Sequence, residues 1–238
     1  MCGRYVAPTD LAQLSQVFEL ANLPENDLGE NYNVSPSQAV YAIFVDQAGS
    51  RQAHKMQWGL TAAWDSKQKI ANARSETVDI KSSFKDLFVK NRCLVPMQGY
   101  YEWFRPVDVS KTKQPYFIYS QQMKLLPVAG IYRDNEVTIL TTSANKKLSG
   151  IHDRMPVLVP PKNWVNWLSN SVQSPHSIKE LIPQVPDELL VAHPVGVEVN
   201  NSRSQGKALI APIGNLVATE DIYRINHEDF SFEEFSNE

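Results

Sequence analysis

Covalent chemistry is possible at the start of the chain, which reads MCGRY. If Met1 is removed, as is usual when the second residue is small, Cys2 carries a free α-amine and a thiol on adjacent carbons. An aldehyde that meets this pair can form an imine at nitrogen and then close a thiazolidine ring through sulfur. Gly3 lets the backbone approach a ligand closely, and the planar guanidinium of Arg4 suits a phosphate or a carboxylate. A terminal cysteine is more often frayed or packed, so this chemistry needs support from the rest of the sequence.

Composition and motifs exclude several classes of protein and site. The chain has 238 residues, 42% of them hydrophobic, and no run of about 18 apolar residues, which indicates a soluble globular protein of one or at most two domains. The first residues do not resemble a targeting segment, so we expect a cytoplasmic protein with no membrane association. Cys2 and Cys93 form no CxxC pair, and HExxH, GxGxxG and P-loop motifs are absent, so we expect no metal and no cofactor. Cys93 lies in an apolar run, NRCLVPM, and is predicted to be a buried structural residue.

Charge is distributed unevenly along the chain. From Leu216 onward there are seven Asp and Glu residues against one Arg, whereas residues 1–215 carry 22 Lys and Arg against 19 Asp and Glu. This division predicts a mildly basic catalytic and DNA-binding domain over residues 1–215 and an acidic, aromatic tail over residues 216–238. The tail is expected to be solvated or loosely docked, with a partner-binding or groove-covering segment as the alternative.

The elements that must position Cys2 can be read from the hydrophobic pattern. Helical spacing and capping residues predict helices in TDLAQLSQVFEL, SSFKDLFVKN, PKNWVNWLSN and SPHSIKELI, with Thr9 or Asp10 capping the first and Pro161 and Pro175 near the starts of the last two. Runs rich in β-branched and aromatic residues predict strands in AVYAIFV, HKMQWGL, RCLVPM, PYFIYS, LLPVAGIY and EVTILTT. Strands outnumber helices and follow one another directly. We therefore predict an α+β fold of curved, barrel-like, mainly antiparallel β-sheets flanked by short helices.

Four clusters concentrate polar residues within apolar sequence. They are NYNVSP (31–36), ANARSET (71–77), GYYEW (99–103) and GIHDRMP (150–156). Together with MCGR, in this order, they resemble the SOS response-associated peptidase (SRAP) family, the abasic site processing proteins that crosslink to single-stranded DNA. The resemblance extends from Cys2 to about Ile213 and leaves the acidic tail outside.

The resemblance implies a catalytic role for Cys2, Asn72, Glu102 and His152. The Cys2 amine and thiol would trap the ring-opened aldehyde of an abasic site as a thiazolidine, which protects the strand from cleavage and leaves only a weaker AP-lyase activity. Glu102, between bulky aromatic residues, would be the general acid and base, since an apolar setting raises the pKa of a carboxyl group. His152 would donate a proton to the ring oxygen, and Asn72 would hold Cys2 and the sugar in register. Taken singly, these residues also fit a surface carboxylate, a structural histidine and a turn former.

The family's binding strip also maps onto this chain. Three guanidinium groups would hold successive phosphates, an aromatic wedge would stack on a base, and two polar residues would contact the DNA backbone. In that order, the matching residues are Arg4, Arg74, Arg154, Trp64, Asn33 and Thr141. Trp64 could equally be a core residue. The implied partner is single-stranded DNA with abasic sites, bound by a monomer that would be nucleoid-associated when on DNA.

Two departures from the family's pattern affect DNA affinity and strand preference. Relatives commonly have two adjacent tryptophans where this chain has Ala63 and Trp64, and a basic residue often follows SET where only Lys81 is a candidate here. The residues of the proposed chemistry are unchanged. The modest charge of the body indicates localised rather than broad phosphate contact.

Two other functions fit the same residues. A cysteine peptidase, acting also on its own chain, would use Cys2 as nucleophile, His152 as base, and Asn72 or Glu102 to orient the base. A non-catalytic single-strand binding module would need the arginines and Trp64 but not Glu102 or His152. The peptidase needs only the thiolate, whereas aldehyde capture needs both the amine and the thiol on a free terminus.

Overall fold

The computed structural model describes residues 2–8, 10–24, 27–104, 113–169 and 174–213. The predicted acidic tail lies outside this part of the chain. Within the described residues, no helix is long and apolar enough to cross a lipid bilayer.

Four short α-helices coincide with the four predicted helical segments. They are α1 (Leu11–Phe18), α2 (Lys85–Lys90), α3 (Trp164–Leu168) and α4 (Pro175–Lys179). The Asp10 carboxylate accepts hydrogen bonds from the amides of Ala12 and Gln13, so Asp10 is the N-cap of α1. Proline stands in the first turn of α4 and of the 3₁₀ turn Pro161–Asn163 that leads into α3. The predicted cap at Asp10 and the prolines predicted near the starts of the last two helices are confirmed.

The strands are more numerous than the sequence pattern predicts. Within the described residues they are β1 (Arg4–Val6), β2 (Ala39–Val45), β3 (Arg51–Trp58), β4 (Leu60–Ala62), β5 (Asp65–Ile70), β6 (Asn72–Arg74), β7 (Arg92–Met97), β8 (Gly99–Phe104), β9 (Gln114–Tyr119), β10 (Leu126–Arg133), β11 (Glu136–Ser143), β12 (Arg154–Pro156) and β13 (Val191–Pro194). All six predicted runs contain strands, and the run 54–60 is divided at Gly59, where φ is 119°. The unpredicted strands are β1, β5, β6, β8, β12 and β13.

One sheet curves into a ring. Its strands follow the order β10-β7-β2-β3-β11, and β11 also pairs with β10. Two of the strand pairings in this ring are short: β2 pairs with β7 at Ile43↔Leu94, and β3 pairs with β11 through two parallel residue pairs. The sheet is therefore barrel-like without being a closed barrel. This architecture confirms the predicted fold class.

A second sheet, with the order β1-β8-β9-β13, brings the start of the chain to the GYYEW motif. In the β1–β8 pairing, Arg4 lies opposite Tyr101 and Tyr5 lies opposite Tyr100. A buried cluster between the two sheets contains Cys2, Tyr5 and Tyr100 from the second sheet's side, and Trp58 and Cys93 from the ring. Cys93 is fully buried, as predicted. Cys2 thus lies where the two sheets meet.

Candidate active site

Cys2 is held by the side chain of Asn72. Asn72 opens β6, which pairs in parallel with β11 so that Asn72 lies opposite Ile139. Its Nδ2 donates a hydrogen bond to the Cys2 carbonyl oxygen at 2.8 Å. Its Oδ1 is buried and has no hydrogen-bond partner among the described residues. The amide therefore positions the Cys2 backbone and keeps one acceptor available beside it.

Burial works against ionisation of the Cys2 thiol. The residue is completely buried, and burial raises the pKa of its thiol well above the ordinary value. The negative charge of Glu102 raises it further. The thiol therefore needs a base close by before its sulfur can attack a carbon atom, and the electrostatic effect of Glu102 places that carboxylate nearby.

Glu102 and His152 face one another across the site. Glu102 lies on β8 with 3% of its surface exposed, and its Oε2 is 3.8 Å from Nε2 of His152. That separation is too long for a hydrogen bond but short enough for an ion pair when the imidazole is protonated. The two side chains that the sequence analysis assigned to proton transfer therefore lie within 4 Å of each other.

The other ring nitrogen of His152 is also engaged. Its Nδ1 is 3.0 Å from the backbone nitrogen of Arg154 and 3.0 Å from Oδ1 of Asp153. Acceptance of the Arg154 N–H places the proton of a neutral ring on Nε2, which faces Glu102. The preceding turn is fixed by Asn145, a buried residue whose Oδ1 accepts the Leu148 amide. The loop therefore presents the imidazole in one orientation.

Arg4 is anchored by Asn33. One Nη of Arg4 donates to Oδ1 of Asn33 at 2.7 Å and to the carbonyl of Val199 at 2.9 Å. Asn33 is fully buried, and its Nδ2 donates to the carbonyls of Val199, Asn201 and Ser204. The expectation that the Asn33 side chain contacts DNA does not fit this burial. Its amide holds Arg4 in place instead.

Arg74, Thr141 and Arg154 lie together where β6 and β12 flank β11. Thr141 pairs with Arg74, and Ser143 pairs with Arg154. Arg74 is exposed, whereas Thr141 is fully buried, so its side chain is not positioned to touch DNA. The Thr141 carbonyl accepts a hydrogen bond from Arg154 at 2.8 Å. Thr141, like Asn33, supports a neighbouring arginine.

Arg154 is occupied by a carboxylate that the sequence did not single out. Its two terminal nitrogens bind the two oxygens of Glu76 at 2.7 and 2.8 Å. The hydrogen bond from Arg154 lowers the pKa of Glu76, so the pair is charged at neutral pH. A phosphate that binds Arg154 must compete with Glu76.

Trp64 lies at the tip of the β4–β5 hairpin. Two thirds of its surface (66%) is exposed, and its indole nitrogen donates to Gln68 at 2.8 Å. Trp64 is therefore not a core residue, and its ring is available to a ligand. The hairpin is attached to β11 through Glu136, which accepts hydrogen bonds from the Thr61 amide, the Thr61 hydroxyl and Lys69.

Comparison with known proteins now gives the family. A family model described as SOS response associated peptidase (SRAP) matches residues 1–202. The chain belongs to this family. Two SRAP relatives in Bacillus subtilis, the abasic site processing proteins YoqW and YoaM, are 33% and 32% identical over 224 residues, which is 88% of this chain and 99% and 97% of theirs.

Solved structures support the SRAP fold. A crystal structure of a protein from Bordetella bronchiseptica superposes with a TM-score of 0.69 at 23% identity, covering 82% of this chain and all of that one. At this identity the similarity establishes the fold alone.

Two charged residues of the site were missed by sequence reasoning. Glu76 lies two positions from Arg74 in the ARSET motif, and Asp153 lies between His152 and Arg154. Their places inside the motifs were the available signal. In the sequence, nothing assigns a role to a carboxylate beside an arginine that is predicted to bind phosphate. The structure shows that Glu76 binds Arg154 and that Asp153 lies beside the His152 imidazole.

Proposed function

We propose that this protein processes abasic sites in DNA and captures the ring-opened sugar through Cys2, after removal of Met1, as a thiazolidine crosslink. The observation that carries the proposal is the junction of Cys2, Asn72 and Glu102, where a cysteine next to the initiator methionine is clamped beside a buried carboxyl group. The printed names of the relatives, abasic site processing proteins, support the substrate class.

The chemistry begins with the amine. A terminal amine has an ordinary pKa of about 7.7 to 8.0, so a useful fraction is neutral at physiological pH. Its lone pair attacks C1′ of the open sugar, and the carbonyl oxygen becomes a hydroxyl by taking a proton that the nitrogen loses. Oδ1 of Asn72 is an acceptor suited to an N–H of this amine. Before this attack the sugar opens: His152 gives a proton to the ring oxygen as its bond to C1′ breaks, and the C1′ hydroxyl releases its proton to water as the C=O bond forms.

Glu102 donates a proton in the next step and accepts a proton in the step after it. Its carboxyl proton goes to the carbinolamine hydroxyl, the C–O bond breaks, water leaves, and the nitrogen lone pair forms the C=N bond of an iminium ion. The sulfur then attacks the iminium carbon, the thiol proton passes to Glu102, and the C=N electron pair returns to nitrogen. One water is released in total, and Glu102 ends protonated as it began.

Ring closure protects the strand. The thiol is tethered to the imine, and well-oriented intramolecular reactions reach effective molarities on the order of 10⁵ to 10⁸ M. Because β-elimination must start from the imine, rapid closure suppresses lyase cleavage, which remains a minor activity. Burial raises the pKa of the Cys2 thiol, which hinders a peptidase whose first step is attack by the thiolate. Capture begins with attack by the amine and needs the sulfur only after the imine has formed, so capture through the amine is the better fit.

DNA binding is assigned to three arginines and one exposed tryptophan around this junction. Arg4, Arg74 and Arg154 would contact successive phosphates, and the exposed ring of Trp64 would stack on a base. Attack on C1′ needs a nucleotide splayed from its stack, so we propose a monomer that prefers single-stranded DNA over duplex and works at the nucleoid.

The proposal is tested by crosslinking to a labelled single-stranded oligonucleotide with one abasic site, read on a denaturing gel. A tetrahydrofuran analogue, which has no aldehyde, is the matched substrate control. We expect a stable adduct with the native terminus, only a reducible imine with Cys2→Ser, and no adduct when an extra residue precedes Cys2. Persistence of the adduct with the extended terminus would refute amine capture. Equal crosslinking by Glu102→Ala and His152→Ala would favour a non-catalytic binding module.

A further inference from the structure

One buried polar group at the Cys2 junction has no function in the chemistry above. Tyr100 lies on β8 two residues before Glu102, and successive side chains on a strand point to opposite faces, so these two share a face. Tyr100 is 1% exposed, and its hydroxyl has no hydrogen-bond partner among the described residues. By contrast, the buried hydroxyl of its neighbour Tyr101 donates to the Tyr32 carbonyl at 2.8 Å on the other face.

The Tyr100 hydroxyl lies in the electrostatic field of the reacting groups. Burial raises its pKa well above the ordinary value, and the charges of Glu102 and Cys2 raise it further. The β1–β8 pairing sets Tyr100 opposite Tyr5, and the same register continued along both chains brings Gly3 opposite Glu102. Gly3 carries no side chain on that face. The hydroxyl is therefore close to Cys2 and remains a protonated donor at physiological pH.

A buried hydroxyl without a partner is unfavourable for the folded protein alone. Phenylalanine would occupy the same space without the desolvation of a polar group. A ligand oxygen that arrives during the reaction would supply the missing acceptor. The proposed reaction brings one such oxygen, the former aldehyde oxygen at C1′, to the carbon that the Cys2 amine attacks.

We propose that Tyr100 is a further catalytic residue, whose hydroxyl donates a hydrogen bond to the oxygen on C1′ during attack by the Cys2 amine and loss of water. The inference rests on the proposed function. The hydrogen bond polarises the C=O bond as nitrogen attacks and then holds the carbinolamine hydroxyl while Glu102 protonates it. Tyr100 keeps its own proton throughout, so the proton balance of the reaction is unchanged.

The test compares Tyr100→Phe with Tyr101→Phe, its neighbour on the opposite face. Single-turnover crosslinking to the abasic oligonucleotide gives the rate, urea unfolding gives the stability, and the Kd for the tetrahydrofuran oligonucleotide gives the affinity. For Tyr100→Phe we expect a rate about 100- to 1000-fold lower, as for loss of one donor to a developing oxyanion, with unchanged Kd and an equal or higher unfolding midpoint. For Tyr101→Phe we expect a lower midpoint and an unchanged rate.

Failure of the inference can be told apart from failure of the proposed function. If the unsubstituted protein crosslinks and Tyr100→Phe crosslinks at the same rate, Tyr100 is not catalytic and the capture mechanism stands. If the unsubstituted protein forms no adduct, the proposed function and this inference both fall. If Tyr100→Phe does not fold, 3-fluorotyrosine at position 100 provides the test, because its more acidic hydroxyl should raise the rate. An unchanged rate with that residue overturns the inference.

Discussion

Replacement of Glu136 by Gln should loosen the hairpin that carries Trp64. Glu136 begins β11 and accepts hydrogen bonds from the Thr61 amide at 2.7 Å, the Thr61 hydroxyl at 2.5 Å and the Lys69 ammonium. Thr61 lies on β4 and Lys69 on β5, so one carboxylate ties both strands of the hairpin to the ring of strands. Glutamine keeps the size of the side chain but removes its charge and one acceptor oxygen.

The size of the effect follows from the pKa of Glu136. Partial burial alone would raise this pKa, but the hydrogen bonds from Lys69 and Thr61 outweigh it and lower the pKa from 4.5 to about 2. A difference of about 2.5 pH units at 1.36 kcal/mol each gives about 3 kcal/mol as an upper limit. The side chain is 19% exposed. Solvent screening should reduce the loss on substitution to about 1.5 to 2 kcal/mol.

The pH dependence of the stability loss tests whether the charge of Glu136 causes it. A carboxyl group whose pKa is depressed on folding stabilises the protein above its unfolded pKa, and this contribution is lost as the pH falls toward about 2. Urea unfolding of the unsubstituted protein and Glu136→Gln should therefore show the full difference at pH 7 and less than half of it at pH 3. A difference below about 0.5 kcal/mol at pH 7, or one that is undiminished at pH 3, would refute the assignment.

Three further predictions concern other contacts. Arg92 is 2% exposed and donates to four backbone carbonyls. Arg92→Met leaves these buried carbonyls without their donor and should lower the free energy of unfolding by about 3 kcal/mol or more, whereas an unchanged urea midpoint would contradict this role. Trp64→Ala should weaken binding of a single-stranded oligonucleotide by about 1 to 3 kcal/mol with unchanged stability, measured by fluorescence anisotropy and urea unfolding. An unaltered Kd would remove Trp64 from the binding surface. Glu76→Gln should free Arg154 for phosphate, giving a lower Kd and a steeper fall of affinity between about 50 and 200 mM salt; equal salt slopes would contradict the competition.

Elements with a strong apolar period could be predicted from the sequence. The helix α1 has Leu14 and Phe18 on its buried face and an aspartate cap, and the strands β2, β7, β10 and β11 are largely buried apolar runs. The short strands β1, β6, β12 and β13 were missed because they contain too few side chains to show an alternation, and β5 was missed because it is mostly polar. The pairing of β1 with β8 depends on contacts about 95 residues apart, which no local pattern contains.

The sequence identified the residues that the structure brings together near Cys2, but it did not indicate which groups each of them contacts. The motif residues Cys2 and Asn72 are joined by a hydrogen bond, and Glu102 and His152 face one another. The burial of individual side chains separates residues that are exposed to a ligand from residues that support a neighbour, a distinction that the motifs do not make. Asn33 and Thr141 are polar residues whose side chains are buried; the Asn33 side chain accepts a hydrogen bond from Arg4, and the Thr141 backbone carbonyl accepts one from Arg154. In the sequence, a polar motif residue that binds a ligand cannot be distinguished from one that positions the ligand-binding residue.

Intact mass spectrometry of the native-terminus protein, alone and after incubation with a single-stranded oligonucleotide carrying one abasic site, tests the central claim most directly. Capture by Cys2 predicts loss of the Met1 mass, followed by a heat-stable adduct equal to protein plus oligonucleotide minus one water. A protein that has lost Met1 and forms no such adduct, or an adduct formed while Met1 is retained, would contradict capture by the terminal amine and thiol.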